Sequence, residues 1–311
     1  MMNNITKHIV FILLLFIIPS TAYSHSGRTD AQGGHTNKKT GEYHFHNRPK
    51  YKSTSKSLHA QSEPEPQETH SSHSFYGLPT GTPSTNNLII RDIYALSSND
   101  KTKFADWVAY RLDKKTVIGD VKTKRNWKSD PLLKDSETLE PEDYKDANRV
   151  LKTDRGHQAP LASFKGTDSW QETNYLSNIT PQKANLNQGV WKKIESKVRK
   201  LVKTGKTVYV MTGTLYERDM PPLPKADESH KVPSGYWKII IIEGGSIHSL
   251  NAASFIFDQK TPRSDKAINH LCTINEIEKR SGLDFLHELN DDTEEEIENK
   301  RFEEWAQQQF N

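Results

Sequence analysis

The residues best equipped for chemistry lie between Asp154 and Glu195. Asp154-Arg155-Gly156-His157 sets one imidazole beside one guanidinium, Asn178 opens the stretch Asn178-Ile179-Thr180-Pro181-Gln182, and Asn187, Trp191 and Glu195 then recur every four residues. Hydrolysis of a phosphodiester needs an activated water, a counter-charge for the crowded phosphate and help for the departing 3′ oxygen. An imidazole, with an ordinary pKa of about 6.5, is the side chain suited to take a proton at neutral pH, and His157 fits that role. Only Gly156 separates it from Arg155, so on an extended strand both side chains point the same way, one to the proton and one to the phosphate.

A metal site needs less than it first suggests. Mg²⁺ keeps most of its waters and takes few protein oxygens, so one neutral amide with carboxylates holding the waters is sufficient. In a helix running from Ala184 to Val202, Asn187, Trp191 and Glu195 share one face, while Val190, Ile194, Val198 and Val202 form the adjacent apolar stripe. Such a helix packs by its stripe and turns Asn187 toward a cleft, with Glu195 two turns along. Taken singly, each residue has a blander reading: a solvated histidine, an asparagine cap, a packing row. Their order and spacing together are specific.

The elements that must position these groups alternate in type. Leu88 to Ile90, Ile93 to Leu96, Trp107 to Leu112, Thr207 to Tyr216, Tyr236 to Ile242 and Ser249 to Phe257 read as strands, rich in β-branched and aromatic residues. The unbroken run Ile239-Ile240-Ile241-Ile242 predicts a strand covered on both faces. Further helices are expected from Thr273, with Glu276 completing a capping box, to Ser281 before Gly282, and in the acidic tail, read as a solvated helix. The fold class is therefore α+β, a mostly antiparallel central sheet with helices packed on it.

The chain has 311 residues, of which 33% are hydrophobic and 27% charged, enough apolar content to bury a core. A single cysteine, Cys272, excludes an internal disulfide and a cysteine-based zinc site. The net charge of +3 hides local asymmetry: Lys122 to Lys128 is basic, and Lys192 to Lys206 holds seven Lys/Arg against one glutamate. Alone these are solvated faces; around the histidine and asparagines they suit a polyanion.

Residues 1–24 read as a secretory signal: Lys7 and His8, the apolar run Ile9 to Ile18, then Pro19-Ser20 and Ala22-Tyr23-Ser24. The run is about half the roughly 20 residues that a bilayer crossing needs, which favours cleavage over an uncleaved anchor and predicts a secreted or periplasmic protein with no membrane segment afterwards. Residues 25–46 are His-rich. Tyr43-His44-Phe45-His46 alternates so that both imidazoles share a face of a strand, and His25 and His35 bring the ligand count to four, enough for Zn²⁺ or Cu²⁺; the competing reading is a solvated, Gly-rich leader. Residues 47–75 have almost no apolar residues and read as a disordered linker, leaving 76–311 as the main domain.

Over most of residues 76–311 the chain resembles the DNA/RNA non-specific endonuclease family, the ββα-metal nucleases, and most of all their secreted Serratia-type branch. The likeness runs through Lys124-Arg125-Asn126-Trp127-Lys128, Asp154-Arg155-Gly156-His157, Asn174 to Gln182, Leu186 to Trp191, Thr212 to Tyr216 and Val232 to Lys238. It implies a ββα-metal fold, His157 as general base, and Asn187 as sole direct protein ligand of a hydrated Mg²⁺, with Mn²⁺ as a substitute. By the same resemblance Glu195 would hold metal-bound water near the leaving group, Arg155 and Arg125 would neutralise phosphate charge, and Asn178 would help position the site. Asp154 would orient water or backbone behind these groups. The implied substrates are DNA and RNA without strong sequence preference, cut to 5′-phosphate ends. The His-rich segment resembles the small "YHYH" modules that follow secretion signals and lies outside the nuclease pattern. Two other readings stand beside the nuclease: a non-catalytic nucleic-acid-binding surface protein, and a metal-scavenging protein built on the His-rich segment. The sequence leaves the oligomeric state open, a homodimer among the options.

Overall fold

The computed structural model describes residues 72–121, 124–242 and 250–311, with two short strands nearer the N-terminus. Those strands, β1 (Gly34–Thr36) and β2 (Tyr43–Phe45), pair antiparallel and set His35 opposite His44. His25, His46, residues 1–24 and nearly all of the linker stretch lie outside the described residues.

The main domain is built on a seven-stranded antiparallel sheet. Its strands are β3 (Asn87–Ile90), β4 (Ala95–Ser98), β5 (Ala105–Leu112), β8 (Val208–Leu215), β9 (Gly235–Ile242), β10 (Asn251–Asp258) and β11 (Leu271–Cys272), and they neighbour one another in that sequence. Every pairing in it is antiparallel. The two strands skipped between β5 and β8 are β6 (Thr153–His157) and β7 (Ile179–Lys183), which form a hairpin of their own. That hairpin runs directly into a helical stretch, giving the β–β–α unit that carries the candidate residues.

All eight residues of β9 are buried, as its isoleucine run predicts. Alternate side chains serve two cores: Tyr236, Ile240 and Ile242 pack in one, Trp237, Ile239 and Ile241 in the other. Helices α1 (Lys114–Val117), α2 (Ala147–Leu151) and α3 (Ala184–Leu186) precede α4 (Lys192–Lys203), and the first core includes the stripe Val190, Ile194, Val198 and Val202 of α4 and the turn before it. Each such side chain contributes about 1.5–3 kcal/mol by leaving water, which fixes the helix against the sheet. The second core takes Ile274 and Ile277 of α5 (Ile274–Ser281), where the Thr273 hydroxyl caps the N-terminus and Gly282, at φ 74°, ends the helix.

Three expectations need correction. The helix from Ala184 to Val202 is broken: Ala184–Leu186 is α-helical, Asn187–Trp191 is a π turn in which Gly189 has φ −95° and ψ −118°, and α4 follows. A Cβ on Gly189 would stand 2.7 Å from the Arg263 carbonyl oxygen, so only glycine fits at this break. The acidic tail is not a solvated helix. It forms α6 (Asp291–Glu298) and α7 (Glu303–Phe310), burying Ile297 and Glu298 in the first and Ala306 and Phe310 in the second. Finally, order begins ahead of Phe75, for His73 is already buried and hydrogen-bonded to the Arg91 carbonyl.

The loop carrying Arg125 to Lys128 is stitched down at both ends of a short parallel bridge. Lys128 N–H donates to the Asn174 carbonyl and Leu176 N–H to the Lys128 carbonyl. Below it, the fully buried Asp130 carboxylate accepts from the Arg91 guanidinium and the Ser177 hydroxyl. Replacing Arg91 by methionine leaves that carboxylate buried without its counter-charge. Urea unfolding of Arg91→Met is expected to show a loss of about 3–5 kcal/mol; a loss within 0.5 kcal/mol, the roughly neutral range of surface substitutions, would show that the loop does not depend on the pair.

Candidate functional site

The hairpin β6–β7 has the register Arg155 opposite Pro181 and His157 opposite Ile179. Gly156 is required between the two functional side chains because a Cβ there would meet the Gln182 Cβ at 2.7 Å. Pro181, which argues against an interior strand, is tolerated because its backbone faces away from β6: its carbonyl takes bonds from the Tyr236 hydroxyl and the Gln259 amide, and its nitrogen, on the same side, owes the two-stranded ladder no bond. The sequence therefore conceals this second strand.

A cavity of about 560 Å³ opens between the hairpin and α4. Its lining includes Arg125, Trp127, Asp154, Arg155, His157, Asn187, Gln188, Glu195 and Arg199. Seven residues singled out in the sequence were expected at one site, and six of them meet here. The seventh, Asn178, does not line the cavity: it is fully buried, accepting from Ala159 N–H at 2.8 Å and donating to the Ala159 and Thr173 carbonyls, both at 2.9 Å. It clamps the chain that follows His157.

The Asp154 carboxylate ties three elements together. One oxygen accepts from Asn148 Nδ2 at 2.9 Å, and the other from Asn187 Nδ2 at 2.9 Å and Gln188 Nε2 at 2.8 Å. With its nitrogen engaged there, the Asn187 amide keeps its oxygen for another partner. An amide oxygen and the Glu195 carboxylate on one cavity wall are the oxygen donors a hard divalent cation takes. By contrast, the carboxylates of Asp143, Asp227 and Glu228 lie within 4.8 Å of one another but none of them lines this cavity.

His157 Nε2 lies 3.4 Å from Asn174 Oδ1, and the Asn174 amide nitrogen donates to the Gln171 carbonyl at 3.3 Å. An acceptor at Nε2 places the ring proton there and leaves the Nδ1 lone pair for a proton. The ring also lies 5.3 Å from the Trp127 ring, and the Arg155 guanidinium sits 5.6 Å from Trp127 and 5.2 Å from Tyr144. Asn174 and Trp127 fall within the resembling segments but carry no recognisable signal of their own, since neither type at its spacing is diagnostic. Arg199, one turn beyond Glu195, lies outside those segments and likewise carries no signal of its own.

Burial among these rings lowers the His157 pKa to about 4, with the Arg125 charge acting in the same direction and the Asn174 bond opposing. The neighbouring charge that matters is thus Arg125 from another loop and not Arg155, two residues away in sequence. For Glu195, burial raises the carboxyl while Lys238, Arg199 and Arg125 pull it back. Ring-proton NMR of His157 is expected to show a pKa well below 6.5, with Arg125→Ala moving it upward. A value at or above 6.5 in the unsubstituted protein would contradict the enclosed geometry.

Residues 71–292 match the family described as DNA/RNA non-specific endonuclease. A nuclease of Serratia marcescens is 48% identical over 226 residues, spanning 72% of this chain and 84% of that protein. Mitochondrial endonuclease G of Bos taurus is 28% identical over 225 residues, 66% of this chain and 71% of its own. Among solved structures, the complex of EndoG with EndoGI superposes with a TM-score of 0.58 at 25% identity, covering 69% of this chain and 90% of that one. The likeness therefore embraces the sheet, the hairpin and the cavity alike, and this chain is an endonuclease that belongs to the DNA/RNA non-specific endonuclease family.

Proposed function

We propose that this endonuclease is exported, uses Mg²⁺ with Mn²⁺ as a substitute, and cuts both DNA and RNA to 5′-phosphate ends. In this reading His157 is the general base and Asn187 the protein ligand of the metal. The observation that carries it is the hydrogen bond from Asn187 Nδ2 to Asp154, which commits the amide nitrogen and frees the oxygen. A Mg²⁺ ion bound there would supply positive charge to the phosphate and the departing oxygen. Among the described residues no helix is long and apolar enough to cross a membrane.

The chain's own groups then divide the work. His157 Nδ1 takes the proton of the attacking water, with Asn174 holding the tautomer. Arg125 and Arg155 face the phosphate; Arg155 is held by its bond to the Pro141 carbonyl at 2.7 Å and by the Trp127 and Tyr144 rings. Glu195 would accept hydrogen bonds from water on a bound metal, and Asn178 keeps the Ala159 backbone in place behind the base. Arginine and amide contacts to phosphate carry no base information, which suits a substrate range spanning both nucleic acids. The cross-strand pair His35 and His44 supports a separate Zn²⁺ or Cu²⁺ site in residues 25–46, with His25 and His46 as the other ligands.

Nicking of supercoiled plasmid and digestion of total RNA, with Mg²⁺ or EDTA, tests the main reading. Chelation is expected to stop both reactions, and His157→Ala to lower turnover by about a hundred- to ten-thousandfold. Cleavage that persists in EDTA would overturn it. Asp154→Ala is expected to raise the Mg²⁺ concentration for half-maximal activity by about ten- to a hundredfold, as loss of the group orienting a ligand does. An unchanged Mg²⁺ dependence would remove Asp154 from that role.

A further inference from the structure

The chain leaving β10 grips the β–β–α unit in two places, and no step of the proposed mechanism uses it. Gln259, which is buried, makes the first contact. Its amide nitrogen donates to the Pro181 carbonyl at 2.7 Å and its amide oxygen accepts from Lys183 N–H at 2.8 Å, so it holds β7 just before the turn that carries Asn187. Arg263 makes the second. Its backbone packs against Gly189, where a Cβ would stand 2.7 Å from the Arg263 carbonyl oxygen and 2.8 Å from its Cα. Its guanidinium donates to Gln188 Oε1, in the same turn, at 2.7 Å. Gln188 Nε2 in turn donates at 2.8 Å to the Asp154 carboxylate, on the oxygen that also accepts from Asn187 Nδ2 at 2.9 Å.

We propose that Arg263 is a positioning residue: by donating to Gln188 it holds the Asp154 carboxylate in the orientation that keeps the Asn187 amide nitrogen engaged and its oxygen free. The argument is one of donors and acceptors. A guanidinium offers only N–H groups, so the Gln188 amide must turn its oxygen to Arg263 and its nitrogen to Asp154. Rotated by half a turn, the amide would set oxygen against carboxylate and nitrogen against guanidinium, and both bonds would be lost. With Gln188 so fixed, Asp154 receives Gln188 and Asn187 on one oxygen and Asn148 on the other, which sets the plane of the carboxylate. Gln188 and Arg263 are both exposed. Without the guanidinium, water would satisfy the Gln188 amide in either orientation, and Asp154 would lose a donor half of the time. Folding gains little from an exposed bond of this kind; its effect is on direction. The guanidinium acts from a set place because Gln259 anchors the segment on β7 and Gly189 admits the Arg263 backbone.

The inference rests on the roles proposed for Asn187 and Asp154, and the experiment separates the two. Calorimetric titration of Arg263→Met with Mn²⁺ is expected to show affinity lowered about two- to tenfold, the worth of one hydrogen bond. The Mg²⁺ concentration for half-maximal cleavage of plasmid DNA should rise by a similar factor, with KM for DNA changed less than twofold. Gln188→Glu keeps length and the bond to Arg263 but sets a second carboxylate against Asp154, and should weaken the site at least as much. In the Asp154→Ala background, Arg263→Met is expected to add no further loss. A reading without metal comes from NMR: exchange of the Asn187 side-chain amide protons should be faster in Arg263→Met than in the unsubstituted protein. Mn²⁺ affinity and amide exchange that both stay unchanged overturn the proposal, as does a loss of equal size with and without the Asp154 carboxylate. A raised KM for DNA at unchanged Mn²⁺ affinity also overturns it, marking Arg263 as a phosphate contact instead. If Asp154→Ala itself leaves Mn²⁺ affinity intact, the roles of Asp154 and Asn187 fall and this proposal with them. Should Arg263→Met fail to fold, Gln188→Leu breaks the same link from its other partner, and Mn²⁺ affinity and Asn187 exchange equal to those of the unsubstituted protein would refute the coupling.

Discussion

The Asp154 carboxylate is the point on which the site depends. It accepts from Asn148 ahead of the hairpin and from Asn187 and Gln188 in the turn after it, so one side chain sets the distance between strand and helix. Charge-assisted bonds of this kind are about twice as strong as neutral ones. Their more important effect is directional. An amide rotated by half a turn would present its nitrogen where a cation needs an oxygen, and Asp154 removes that freedom. The same bond fixes Asn187 just ahead of the break at Gly189, where the helix by itself would not define its angle.

That break shows what a sequence can and cannot disclose. The period of Val190, Ile194, Val198 and Val202 was sufficient to predict a helix packed by one face, and the structure buries all four. Nothing within the window signals the π turn. The glycine in it is required by a distant segment: the Arg263 carbonyl oxygen would meet a Cβ there at 2.7 Å, and the Arg263 guanidinium donates to Gln188 at 2.7 Å. Contacts between segments so far apart are invisible to periodicity. For the same reason the strand Ile179–Lys183 is hidden behind its proline, whereas β9 was legible because two cores demand apolar residues on both of its faces.

The site divides along the same line. His157, Arg155, Asn187 and Glu195 were legible because their residue types carry chemistry and their spacing fits strand and helix. Asn174, Trp127 and Arg263 were not: an amide, an indole and a guanidinium acquire meaning only from what they touch. Asn178 illustrates the converse. The resemblance implied that it helps to position the site; it does not line the cavity, and its polar atoms are consumed by the backbone of Ala159 and Thr173. A residue can be indispensable to a motif by holding the chain that bears the chemistry.

The environment of His157 imposes a trade. Burial and Arg125 keep the ring neutral down to about pH 4, so at physiological pH it is in the form that the proposed role as base requires. A base is also weaker the lower its pKa, and one held near 4 accepts a proton from water less readily than an ordinary imidazole. The deficit has to be met where the negative charge appears. Arg125 and Arg155 line the same cavity as His157 and Asn187, and positive charge fixed around the phosphate stabilises the developing anion before the proton is fully transferred. In the proposed mechanism the arginine that weakens the base is thus the one that makes a weak base sufficient, which would bind the loop of Arg125 and the strand of His157 into one electrostatic unit.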